Sequence, residues 1–312
     1  MAHLCATFQK EGTTELISSS GGNAGLAVAT VGGRLGLDVS VIVPETTKPL
    51  VIAKLESLGA KVTIHGKNWN AADALAREIV ETKPGGTAKY VSPYDNPLLW
   101  TGHSTLVDEI SDQLQSEGLK PGAIVVSVGG GGLLCGVLEG CARKKLSTKV
   151  LTAETDGSSC FKQSWDSEDG NPVTLSGIES IATSLGATSC TPVALERARS
   201  HEGGFAATAC TDEEAVDACV KFAKDHRMLV EPACGAALAV AYSERLREAH
   251  LKDIEGPIVL EVCGGSGVDI DLLQGWKQEF LSSKQFFKID RVSVLGFEMK
   301  SWDERTRINF FF

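Results

Sequence analysis

A chain of 312 residues is long enough for one large or two moderate domains with cores of their own. Hydrophobic residues at 43% and charged residues at 22% are ordinary for a globular enzyme, and a net charge of -10 argues against a nucleic-acid partner. No apolar run approaches membrane-spanning length and no signal-peptide layout opens the chain; nine dispersed cysteines without a C-x-x-C pair read as reduced thiols of a cytoplasmic protein.

Met1, Leu4, Cys5 and Phe8 fall on one face of a helix that opens the chain. Short β-rich segments follow at 16–19, 39–43, 61–64, 89–91, 124–128, 150–154 and 258–263. Between them lie helical patterns such as 24–35, 49–58, 70–82 and 102–115. This alternation predicts parallel sheets flanked by helices, an α/β architecture. Past Leu281 no element pattern continues. Residues 285–312 hold six of the eleven phenylalanines, and the expectation is a segment foreign to the fold; the plainer reading is a packed terminal strand.

Three glycine-rich turns each follow a strand: Ser18-Ser-Ser-Gly-Gly-Asn-Ala-Gly25, the four glycines 129–132, and Val262-Cys-Gly-Gly-Ser-Gly267. Glycines let backbone N–H groups approach an anion, and a helix N-terminus adds unpaired donors with a partial positive charge. Ligands of open parallel sheets bind at the C-terminal ends of strands, so the three turns are expected to converge on one cleft. A nicotinamide reading is weaker. Ser20-x-Gly22-x-x-Gly25 has serine in place of the first glycine, and Leu134 stands where the last glycine of the 129–132 turn would fall.

Together the segments Ser19-Ser-Gly-Gly-Asn-Ala-Gly25, Ser127-Val-Gly-Gly-Gly-Gly-Leu-Leu-Cys-Gly136, Val230-Glu-Pro-Ala-Cys-Gly-Ala-Ala-Leu238 and Val262-Cys-Gly-Gly-Ser266 resemble the fold-type II pyridoxal-phosphate enzymes, specifically the L-serine/L-threonine dehydratases. The resemblance runs from Met1 to about Leu281. It implies a tryptophan synthase β-like fold of two parallel-sheet domains, 1–92 and 93–281, followed by an atypical tail at 282–312. It implies pyridoxal 5′-phosphate as cofactor, a small-molecule amino-acid substrate, a homodimer, and no membrane or nucleic-acid partner. Gly129, Gly130, Gly131, Gly132 and Leu133 would bind the phosphate, Asn23 the ring's 3′-oxygen, and Cys263 would face the ring nitrogen. Ser20, Gly21, Asn23 and Ala24 would cup the substrate carboxylate. A thiol is a weak donor and would leave the ring nitrogen largely neutral, favouring loss of the β-hydroxyl over transamination. A monovalent cation such as K+ would sit among the carbonyls of Gly129, Ser158, Leu185 and Ala187, the Glu154 carboxylate and the Cys160 side chain, where a hydroxyl is the family's rule. Apart from the resemblance, Cys263 reads as a small buried hydrophobe and Glu154 as a helix cap.

The resemblance also implies a catalytic lysine, in a Ser-Phe-Lys-x-Arg-Gly motif roughly two dozen residues ahead of Asn23. This chain holds no such motif, and Lys10, the lysine that precedes Asn23, reads as a solvated surface residue. No catalytic residue is therefore assigned, and the expectation is a chain lacking the N-terminal part of the family fold. Two functions stay open: an L-serine dehydratase (L-serine to pyruvate and ammonia, L-threonine to 2-oxobutanoate) that has lost this segment, or a lysine-less protein that binds pyridoxal phosphate without turnover. A different type II lyase or synthase is the third alternative, disfavoured because those place Ser or Thr against the ring nitrogen.

Overall fold

The computed structural model describes residues 1–282 and the backbone of 308–311. Apart from that short backbone segment, the expectation of a foreign tail falls outside the described residues. The described chain divides into two compact units.

The first unit comprises Met1–Thr105 and Gly131–Gly140. In chain order it contains α1 (Ala2–Lys10), β1 (Glu15–Ser18), α2 (Asn23–Leu35), β2 (Asp38–Val43), α3 (Pro49–Ser57), β3 (Lys61–Ile64), α4 (Trp69–Thr82) and β4 (Ala88–Tyr90). The strands form a parallel sheet of order β3-β2-β1-β4. Successive strand residues point to opposite faces, so Leu16, Val39, Val41 and Val43 join a core with Leu4, Cys5 and Phe8 of α1 and Val28 and Ala29 of α2. Ile17 and Ile42 pack on the other face against Ala72 and Ala76 of α4. The opening helix thus buries the face that its apolar spacing predicts. Asn68 caps α4 by accepting from Ala71 N at 3.1 Å.

Next in the chain come α5 (Pro97–Gln115), β5 (Ala123–Ser127) and α6 (Gly132–Lys144). The second unit comprises Leu106–Gly130 and the described residues from Cys141 on. It includes β5, β6 (Lys149–Thr155), α7 (Cys160–Asp166), α8 (Pro192–Arg199), β7 (Phe205–Cys210), α9 (Asp212–His226), α10 (Pro232–Tyr242), α11 (Glu244–His250), β8 (Ile258–Glu261), α12 (Ile270–Leu281) and β9 (Ile308–Phe311). The sheet order is β7-β6-β5-β8-β9, with parallel pairing throughout. Every residue of β5 and β8 is buried, as in central strands covered on both faces, and Glu261 is the one charged residue among them. The spacing predicts no strand at Phe205–Cys210, because its run of alanines lacks the β-branched signal; pairing with β6 fixes it.

α10 is apolar on all sides and buried from Pro232 to Val240. It packs with Ala215, Cys219 and Phe222 of α9 and with Val125, Leu151 and Leu260 of the sheet. Each large aliphatic side chain sequestered there stabilises the unit by about 1.5–3 kcal/mol. α9 begins with a capping box in which Thr211 accepts from Glu214 N and Glu214 accepts from Thr211 N, both at 3.1 Å. Among the described residues no helix is long and apolar enough to cross a membrane.

Candidate active site

In the first unit, β1 ends at Ser18 and α2 begins at Asn23 with Gly22 as its N-cap. Ser20, Gly21, Asn23 and Ala24 therefore occupy the turn and first residues of a helix whose leading amides have no intrahelical acceptor. Gly22 N donates to Ser20 Oγ at 3.2 Å. Behind the turn lies a polar network that the sequence did not single out. Buried Ser19 donates to Asp73 Oδ1 at 2.7 Å, Tyr90 OH donates to the same oxygen, and Arg77 Nε donates to Asp73 Oδ2 at 2.8 Å. The Arg77 guanidinium also lies 4.2 Å from the Tyr90 ring centre. Burial opposes ionisation of Asp73, but the bonds from Arg77, Tyr90 and Ser19 outweigh it and hold the carboxyl below its ordinary range. Burial, and then the bond to Asp73, raise the Tyr90 hydroxyl. Lys10 is exposed at the last residue of α1.

In the second unit, the Gly129 turn leaves the C-terminal end of β5 and the 263–267 turn leaves the same end of its neighbour β8. The start of α10 is joined to both. Ser127 Oγ donates to Ala233 O at 2.8 Å. Glu231 N donates to Gly264 O at 2.9 Å, and Glu231 Oε2 accepts from Gly267 N at 3.1 Å. Glu231 lies so close to Gly265 that a Cβ there would stand 2.1 Å from its carboxyl carbon. The Val230-Glu-Pro-Ala segment thus shapes the third glycine turn, a role its sequence did not disclose.

Cys263 is exposed, unlike the other eight cysteines. The reading of Cys263 as a buried hydrophobe is thereby excluded. Its thiol donates to Glu261 Oε2 at 2.7 Å. Glu261 is 8% exposed, and burial pushes its carboxyl up to about 7. A charged residue in the apolar run Ile-Val-Leu-Glu-Val was the available signal for it.

Of the expected cation ligands, the structure brings Gly129, Ser158, Cys160 and Leu185 together. Cys160 Sγ donates to Gly129 O at 3.6 Å, Ser158 Oγ donates to Leu185 O at 2.8 Å, and Ala187 N donates to the same carbonyl at 2.7 Å. Glu154 is fully buried and caps α7, accepting from Phe161 N at 2.9 Å and Lys162 N at 2.6 Å. Burial lifts its carboxyl to about 8 despite those amides. Among the described residues no three His, Cys, Asp or Glu side chains cluster to hold a metal ion.

These features define an α/β protein in which two neighbouring strands of a parallel sheet, β5 and β8, each end in a glycine turn, the second bearing an exposed thiol. The residues fit a phosphorylated cofactor. Gly131 has φ +92°, a conformation that side chains disfavour, and α6 starts at the next residue with its leading amides unpaired within the helix. Neutral N–H donors at a helix start suit a phosphate.

The sequence pattern of the pyridoxal-phosphate dependent enzyme family matches residues 1–264, and the chain belongs to that family. It is 39% identical over 270 residues to an L-serine dehydratase of Saccharomyces cerevisiae (strain AWRI1631), covering 84% of this chain and 79% of the relative. It is 41% identical over 282 residues to the serine dehydratase-like protein of Mus musculus, covering 89% and 83%. The fold is similar to a fungal L-serine ammonia-lyase from Rhizomucor miehei, with TM-score 0.80, 32% identity and coverage of 89% and 87%. The fold is the type II fold of these enzymes.

Proposed function

We propose that the protein is an L-serine ammonia-lyase, eliminating water from L-serine to give pyruvate and ammonia and converting L-threonine to 2-oxobutanoate. The observation that carries this reading is the Cys263 thiol at the end of β8, next to the Gly129 turn of β5. The names of the relatives, L-serine dehydratase and serine dehydratase-like, support it. When bound, pyridoxal phosphate supplies an electron sink for bonds at the substrate's Cα.

The chain's own residues have distinct tasks. Gly129, Gly130, Gly131, Gly132 and Leu133 hold the phosphate through backbone N–H groups. Cys263 faces the ring nitrogen as a weak donor, which favours departure of the β-hydroxyl over transamination. Asn23 bonds the ring's 3′-oxygen. Ser20, Gly21, Asn23 and Ala24 hold the substrate carboxylate at the start of α2, and the Ser19–Asp73 bond supports that turn from behind. The carbonyls of Gly129, Ser158, Leu185 and Ala187, with Glu154 and Cys160, take a monovalent cation such as K+. The same reading makes the protein a cytoplasmic homodimer, checked by light scattering.

The second reading, a binder without turnover, is favoured by one observation: Lys10 is exposed at the end of α1, without the Ser-Phe-Lys-x-Arg-Gly motif around it. Pyruvate release from L-serine separates the two. It is measured with pyridoxal phosphate for the 312-residue chain and for the chain extended by a segment carrying that motif. The lyase reading expects release from the extended chain and none from the chain alone. Release from neither overturns it; release from the chain alone overturns the binder reading.

A further inference from the structure

We infer that Glu261 is a positioning residue that holds the proton of the Cys263 thiol and thereby decides whether the thiol can donate to a bound ring nitrogen. The second half rests on the proposed placement of Cys263 at that nitrogen; the first half does not.

Strand residues two apart share a face. Glu261 ends the otherwise apolar β8, and Cys263 follows two residues on, with Sγ 2.7 Å from Glu261 Oε2. The other titratable groups facing the thiol are Glu231 and Cys234, at the start of α10. The adjoining strand β5 carries no ionisable side chain. No cation is among the groups that act on Glu261, so this buried carboxylate is satisfied by the thiol hydrogen.

Two arrangements follow, separated by one proton taken from solvent. With Glu261 ionised, S–H donates to Oε2 and sulfur offers only lone pairs to a ligand. With Glu261 protonated, its O–H donates to Sγ and the S–H is released to donate elsewhere. Burial places this change near neutrality, where the two forms coexist. A side chain that merely filled space at the strand end would leave the thiol's reactivity unaltered.

The test is alkylation of the full chain by iodoacetamide at pH 8, read at Cys263 by mass spectrometry. The eight buried cysteines report folding, because they label only if the chain opens. The thiolate is the nucleophile, and one pKa unit changes its population about tenfold. Glu261→Gln and Glu261→Leu should therefore raise Cys263 alkylation about tenfold. An unchanged rate in folded variants overturns the inference. Should the variants open, the pH profile of the unaltered chain decides: an inflection near pH 7 supports the coupling, and a single thiol curve overturns it. Pyridoxal phosphate should slow alkylation of Cys263. Accelerated variants without such protection would keep the Glu261 coupling and remove Cys263 from the ring nitrogen.

Discussion

Gly25 of α2 packs directly on the carbonyl oxygen of Ser20, which would lie 1.8 Å from any Cβ placed at residue 25. The backbone of the Ser18–Gly25 turn therefore folds over a position that admits only hydrogen. Gly25→Ala should force the turn apart and destabilise the protein by about 1–3 kcal/mol, as overpacked interiors do. Gly33→Ala, in the same helix with its nearest foreign atom at 3.5 Å, should be neutral or stabilising. Urea unfolding of both variants checks the contrast; equal loss in each would refute it.

The Asp73 network gives a pH signature. Its folded pKa is depressed, so its stabilisation is present above the unfolded value near 3.9 and is lost as pH falls through the folded value. Asp73→Asn should cost about 1–3 kcal/mol at pH 7. The gap between the two proteins should close below about pH 4. Thermal melts from pH 3 to 7 read it, and a gap that persists in acid would remove the ionised carboxylate as its source.

Glu154 has the opposite sign. Its folded pKa is raised to about 8, so stability is greatest below the unfolded value of about 4.3 and declines as pH rises through the folded one. Glu154→Gln should flatten stability between those limits. If the proposed cation site is real, KCl should lessen the decline in the unaltered protein and choline chloride should not. Identical melts in the two salts would sink the cation assignment.

Much of this was legible and some was not. The Ser18, Gly129 and Val262 turns were readable because glycine runs after β-rich segments have few other uses. A helix cap is one of the roles that Glu154's place at the end of a strand allows, and the structure supplies its partners, the amides of Phe161 and Lys162. Asp73 was hidden because a helical pattern locates a face and gives no partner for a charge on it. Tyr90, its partner, lies on another element, and only the sheet order β3-β2-β1-β4 brings β4 beside β1. Phe205–Cys210 escaped for the same reason: pairing with β6, not its own propensity, makes it a strand.

The phosphate assignment predicts a graded loss. Gly131→Ala places a methyl at φ +92°, a strain of roughly 1–3 kcal/mol. Pyridoxal phosphate affinity should fall about tenfold or more, since each 1.4 kcal/mol is tenfold. Inorganic phosphate should lose its ability to compete to a similar degree. Fluorescence titration measures both, and a variant with undiminished phosphate competition would move the cradle elsewhere.

The strand orders also carry a lesson about timing. β5 is made early in the second unit, yet its neighbour β8 is among the last described strands in the sequence, and Ala123 pairs with Ile258. During synthesis the glycine turn after β5 emerges with one flank bare, before the strand bearing Glu261 and leading to Cys263 has been made. Closing so long a loop is slow and is rewarded only at the end. A ligand that needs both turns can be captured only by a finished chain, so its binding doubles as a signal that folding is complete.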